Sequence, residues 1–151
     1  MAEERTVNNT APKKKKPFDL VIKCQSLSAD IIEYSKTSSK EVRETFCKHI
    51  EELSYELVHA VRRANNFALG TDERKRSQAS AYETLEKIED LLPVMRKCRC
   101  ITVDQEEVLE KRISTIRSSF KIWVKSDKDR LSEKKKNEGE KKDVASDKLT
   151  S

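Results

Sequence analysis

Two histidines and four cysteines are the side chains of this 151-residue chain best suited to acid–base, nucleophilic or metal chemistry. His49 and His59 stand ten positions apart, roughly three turns along a helix. No serine, cysteine or acid completes a recognisable nucleophile motif around either of them. Cys47 and His49 are two positions apart, and on a helix that turns them to different faces. Cys98 and Cys100 form a Cys-Arg-Cys pair, but no second pair or nearby histidine completes a four-ligand zinc site. With no export signal in the sequence, this pair and the isolated Cys24 and Cys47 read as reduced thiols, not as a disulfide framework. The residues predict no catalytic group, no metal and no cofactor.

The elements that carry these side chains have to be helices. Two glycines and three prolines are too few for the turns of a sandwich, a barrel or a Rossmann unit. Charged residues make up 39% of the chain and hydrophobic ones 35%, against about 45–50% apolar in an ordinary domain. One domain with tails fits that balance. No apolar run approaches the roughly 18 residues of a membrane span, and the start, MAEERTVNN, has no apolar stretch. A soluble, cytoplasmic protein with no membrane partner is expected.

Four apolar stripes can be read between residues 17 and 126. Leu20, Cys24, Leu27, Ile31 and Tyr34 recur at spacings of four and three, the mark of one packed helix face. Pro17 suits the first turn of that helix. Ser38 with Glu41 is a capping-box signature for a second helix, whose stripe runs from Val42 and Phe46 through Ile50, Leu53, Leu57 and Val61 to Ala64 and Phe67. Leu69-Gly70 stops it. A third helix starts near Thr71 or Asp72 with Gln78, Tyr82, Leu85, Ile88, Leu92 and Met95 on one face, and Pro93 should kink it or end it early. Thr102 with Gln105 caps a fourth, carrying Leu109, Ile113, Ile116, Phe120 and Trp123. Short connections make an all-α, antiparallel up-down-up-down four-helix bundle the simplest arrangement. Residues 1–16 then form a disordered basic arm and 127–151 a disordered charged tail. Val21, Ile22, Ile32, Val58 and Ala60 fall off the main seam, and that extra apolar width permits a subunit interface.

Charge is distributed unevenly over such a bundle. Residues 1–16 carry five basic groups against two acids, 60–78 five against two, and 112–125 four with no acid. Residues 30–56 and 83–110 carry net charges of −3 and −4. An up-down order therefore gathers a basic pole, and concentrated positive charge attracts phosphate backbones by Coulomb forces and counterion release. Arg62, Arg63, Arg74, Lys75, Arg76, Arg117, Lys121 and Lys125 are the candidate nucleic-acid-binding residues. No recognition helix, zinc finger or aromatic platform accompanies them, so binding should follow charge and shape more than sequence.

Several segments resemble one family. FDLVIKCQSLSADIIEYSKTS, VRETFCKHIEELSYELVHAVRRANNF, ERKRSQASAYETLEKIEDLLPVM and VLEKRISTIRSSFKIWVKS together resemble the four helices of the accessory variability determinant (Avd) proteins of diversity-generating retroelements. Four-helix proteins encoded in intervening sequences of ribosomal RNA genes are their relatives. The likeness covers about residues 18–126. Thr37-Ser38-Ser39 replaces the Phe-Pro that often precedes the second helix of that family, Pro93 interrupts the third, and the charged tail is additional. The resemblance implies a non-catalytic accessory factor with no small-molecule substrate. It would assemble as a homo-oligomer, a pentamer in that family, and bind a reverse transcriptase with its template RNA and cDNA. Two rival readings stand beside it. Arg43 and His49 fit the R-x5-H spacing of HEPN ribonucleases, which are also helical bundles, although the pair falls toward the acidic pole. A bundle that binds only protein is the other.

Overall fold

The computed structural model describes residues 18–150, which form four helices. Helix α1 spans Asp19–Ser35 and α3 spans Asp72–Lys97. Helix α2 has three consecutive parts, an opening turn Lys40–Val42, a widened turn Arg43–Cys47, and the main body Lys48–Asn66. Helix α4 spans Val103–Thr150. No helix among the described residues is long and apolar enough to cross a membrane.

The helix starts follow their capping residues. Thr71 accepts a hydrogen bond from the Arg74 N–H at 3.2 Å. Thr102 and Gln105 cap each other reciprocally, the Gln105 N–H to Thr102 Oγ1 at 3.1 Å and the Thr102 N–H to Gln105 Oε1 at 3.0 Å. At α2 the cap is Ser39, one residue later than Ser38: its hydroxyl accepts from the Val42 N–H at 3.4 Å. Ser38 instead accepts a contact from the Cys47 thiol at 3.7 Å.

In the widened turn the Lys48 N–H donates to the Arg43 carbonyl, five residues back. That turn holds one residue more than an α-turn and rotates the chain before the main body of α2 begins. Cys47 therefore enters the core at 1% exposure, while Phe46 and Val42, expected on the stripe, are half-buried beside it. Pro93 neither ends α3 nor shortens it, since the helix continues to Lys97. Arg99, with φ at 62°, then closes α3 in the left-handed conformation. The Cys100 N–H donates to the Met95 carbonyl at 2.8 Å and the Arg99 N–H to the Arg96 carbonyl at 3.0 Å, a Schellman turn made without glycine. Leu69-Gly70, expected to stop α2, lies beyond its end: the helix finishes at Asn66 with Phe67 already extended. Gly70, at φ 85°, instead sits in the turn closed by the Thr71 N–H on the Ala68 carbonyl at 3.3 Å, and a Cβ there would lie 2.8 Å from Leu131 Cδ2.

One core joins all four helices. Cys24, Leu27 and Ile31 of α1 pack with Ile50, Leu57 and Val61 of α2, Leu85, Ile88 and Leu92 of α3, and Leu109, Ile113 and Ile116 of α4. Inside the α1–α2 seam the Ser54 hydroxyl donates to the Glu51 carbonyl at 2.7 Å and accepts from the Ser28 hydroxyl at 2.8 Å, so both buried serines are satisfied. Each helix packs mainly on two others, α1 on α2 and α4, and α3 on α2 and α4. Partners along α1 and α4 appear in opposite sequence order, Lys23 with Ser119 and Asp30 with Arg112. Along α3 and α4 the same reversal takes Tyr82 to Phe120, Glu89 to Arg117 and Arg96 to Glu106.

The end of the chain differs from expectation. A disordered tail was expected from residue 127, but α4 continues without a break to Thr150. Asp127 is buried and Leu131 half-buried, so the bundle extends past 126. The inward-facing register continues from Trp123 through Asp127 to Leu131 at steps of four. Beyond it lysine and glutamate are good helix formers, and Lys134 and Lys136 stand four residues before Glu138 and Glu140. The expected basic arm, 1–16, and Pro17 lie outside the described residues.

Candidate polyanion-binding pole

Four chain segments meet at one end of the bundle, and Arg74 joins three of them. Its guanidinium donates to both carboxylate oxygens of Asp127 on α4, Nε to Oδ2 at 2.6 Å and Nη2 to Oδ1 at 2.9 Å. Its Nη1 donates to the last carbonyls around the end of α2, Asn65 at 3.2 Å and Phe67 at 3.0 Å, with Ala64 at 3.5 Å. Helix ends leave such carbonyls without partners inside the helix, and a cation there also suits the helix dipole. Gln78 Nε2 adds a third hydrogen bond to Asp127 at 2.9 Å. The Arg74 guanidinium lies 5.5 Å from the Trp123 ring centre, and Phe18 meets the same ring edge-on at 5.1 Å, which brings in the start of α1.

This network corrects one sequence expectation. Arg74, expected as an exposed cation, is 5% exposed and bound to a carboxylate, so its guanidinium is committed inside the pole. The burial follows from its register: Arg74, Gln78, Ala81 and Leu85 occupy successive turns of the inward face of α3. Arg117 is also committed, donating to Glu89 at 2.6 Å. The Glu89 hydrogen bond raises its proton affinity above the usual range, against the opposing effect of burial.

The other six candidates, Arg62, Arg63, Lys75, Arg76, Lys121 and Lys125, are exposed. Arg63 stacks over the Phe67 ring at 5.7 Å. Lys75, Lys121 and Lys125 border a groove of about 670 Å³ between α3 and α4. Gly70, Ala79, Tyr82, Phe120, Val124 and Leu131 supply its apolar lining. Lys128, missed in the sequence because it fell within the supposed tail, completes the cationic rim. The available signal is the register, since Lys121, Lys125 and Lys128 recur at four and three, the spacing of one helix face. The acid of the groove, Asp127, is already paired with Arg74 and offers little repulsion to an incoming anion.

Elsewhere the surface is less specific. A shallow depression of about 390 Å³ between α1 and α2 contains Ile32, Tyr55, Val58 and His59. Tyr55 is 51% exposed there. Of the off-seam residues, Val21 is buried, Val58 and Ala60 pack against the core, and Ile22 is exposed. Arg43 and His49 are both exposed on α2, far in the chain from the groove residues. Among the described residues no cluster of three or more His, Cys, Asp or Glu side chains could hold a metal ion. No family model, curated protein or solved structure matches the chain.

Proposed function

We propose that this chain is a non-catalytic accessory protein that holds a nucleic-acid strand along the α3–α4 groove. The observation that carries the reading is the placement of Lys75, Lys121, Lys125 and Lys128 around an apolar lining whose single acid is neutralised internally. Lysines on the rim suit the phosphates, and an apolar lining containing Tyr82 suits the faces of unstacked bases. Arg62, Arg63 and Arg76 extend the positive surface around the same pole. Nothing in this set reads base edges, so affinity depends on charge and on single-stranded character more than on sequence.

By resemblance to the Avd proteins, the nucleic acid is template RNA and cDNA, and the protein partner is the reverse transcriptase of a diversity-generating retroelement. The protein then supports mutagenic reverse transcription in the cytoplasm as a homo-oligomer, a pentamer in that family. The reversed order of contacts between α1 and α4 and between α3 and α4 supports an antiparallel up-down-up-down bundle. The α1–α2 depression around Tyr55 supplies apolar area for a second copy.

Incubation of the full chain with a single-stranded RNA separates this reading from a HEPN-type nuclease. Retarded RNA that stays intact, with His49→Ala behaving as wild type, is the expected result. Cleavage that disappears in His49→Ala would replace the reading with the nuclease one. Absence of any salt-sensitive RNA binding would leave a bundle that binds only protein.

A further inference from the structure

The thiol pairing in the fold differs from the one adjacent in sequence. Cys47, at the end of the widened turn of α2, and Cys100, at the end of the Schellman turn after α3, lie with their sulfurs 3.6 Å apart. They are 1% and 2% exposed and 53 residues apart in the chain. Cys98, two positions from Cys100, is exposed. We propose that Cys47 and Cys100 are an oxidant-responsive dithiol whose disulfide ties the start of α2 to the α3–α4 turn, with Cys98 as the thiol that oxidant reaches first.

Geometry favours that bond. A disulfide needs its sulfurs at about 2.05 Å, so the two must approach by roughly 1.5 Å. Cys47 ends the widened turn within α2, while Cys100 lies outside the helices beside left-handed Arg99, so the approach can be made on the side of the α3–α4 turn. Burial also pushes the Cys100 thiol up to about 12, reinforced by its contact with Cys47. Direct attack by Cys100 on an oxidant in water is therefore slow, which is why an exposed thiol is needed.

The electrons balance with hydrogen peroxide as the oxidant. The Cys98 thiolate attacks one peroxide oxygen, the O–O bond breaks, and the departing hydroxide takes a proton to become water, leaving a sulfenic acid. Cys100 sulfur then displaces the sulfenic hydroxyl, forming a Cys98–Cys100 bond, and the hydroxide leaves as water with the Cys100 proton. Cys47 sulfur attacks Cys100, the Cys98–Cys100 bond breaks, and Cys98 recovers a proton from Cys47. Two thiols and one peroxide give one disulfide and two waters.

The test uses the full chain treated with a small excess of hydrogen peroxide, alkylated, and digested with trypsin without reduction. Trypsin cuts after Arg43, Lys48, Arg99 and Lys111, so Cys47, Cys98 and Cys100 fall on three different peptides. The expected product links residues 44–48 to 100–111, with Cys98 alkylated, and dithiothreitol reverses it. Cys98→Ser is expected to slow that link several-fold without changing its position. A final product dominated by Cys98–Cys100, or by Cys98 joined to a second chain, would overturn the proposal. Equal rates in wild type and Cys98→Ser would overturn the role of Cys98. The oxidised protein should also melt at a higher temperature than the reduced one, because the bond closes a long loop; an unchanged or lower melting temperature would contradict a tie formed without distortion. The groove lysines are not involved, so failure here leaves the nucleic-acid reading intact.

Discussion

Asp127→Ala is expected to cost about 3–5 kcal/mol of folding stability, the range for removing one partner of a buried ion pair. The substitution leaves the Arg74 guanidinium at 5% exposure with only backbone carbonyls and the Trp123 face as neighbours. It also removes the acceptor of Gln78. Equilibrium unfolding in urea measures the loss. The pair itself need not be strongly favourable, because two charges must be taken out of water to form it. A double variant, Arg74→Met with Asp127→Leu, should therefore recover most of the loss. Wild-type stability in Asp127→Ala would mean that the pole is not held together by this carboxylate.

The second large effect is expected at Trp123. Trp123→Ala should cost about 3–5 kcal/mol, as removal of large buried side chains does. The indole is 7% exposed, meets Phe18 and Phe120 at 5.1 and 5.7 Å, and carries the Arg74 guanidinium on its ring. Its Nε1 has no hydrogen-bond partner among the described residues. Trp123→Phe should consequently lose much less, because it keeps ring contact and removes a buried donor that nothing accepts. A near-zero change in Trp123→Ala, again read by urea unfolding, would place the ring outside the core.

Much of this architecture is legible in the sequence because helix burial is periodic. Leu109, Ile113, Ile116, Phe120 and Trp123 announce their face by spacing alone, and all five are buried. Thr102 and Gln105 announce a start because capping is local chemistry between residues three apart. Interactions between distant segments are not legible in this way. Arg74 looks like one more cation in Glu-Arg-Lys-Arg, and Asp127 like one more acid in a charged run. Only the fold brings them to 2.6 Å across 53 positions. The last turns of α4 are hidden for a related reason: their composition is that of a charged tail, although Asp127 and Leu131 hold the register that a packed helix requires. The widened turn at Arg43–Cys47 has no pattern in residue type, and at its end Cys47 is buried while Phe46 is half-buried. Of the eight proposed contact residues, the six exposed ones were found by charge. Charge could not separate them from Arg74 and Arg117, whose partners lie on other helices.

That distinction selects the variant for the decisive experiment. Removing Arg74 would test stability and binding together, whereas Lys75, Lys121 and Lys125 are exposed and border the groove. The measurement is the dependence of single-stranded RNA affinity on salt for wild type and for the triple variant Lys75→Gln, Lys121→Gln, Lys125→Gln, with helix content and unfolding checked alongside. Each phosphate contact contributes about 0.7 to the slope of log affinity against log salt for a single strand. If all three lysines hold phosphates, the triple variant of an unchanged fold should bind more weakly at low salt, with a slope lower by about 2 per chain in contact. Identical affinity and slope in the two proteins would contradict the groove as the nucleic-acid seat.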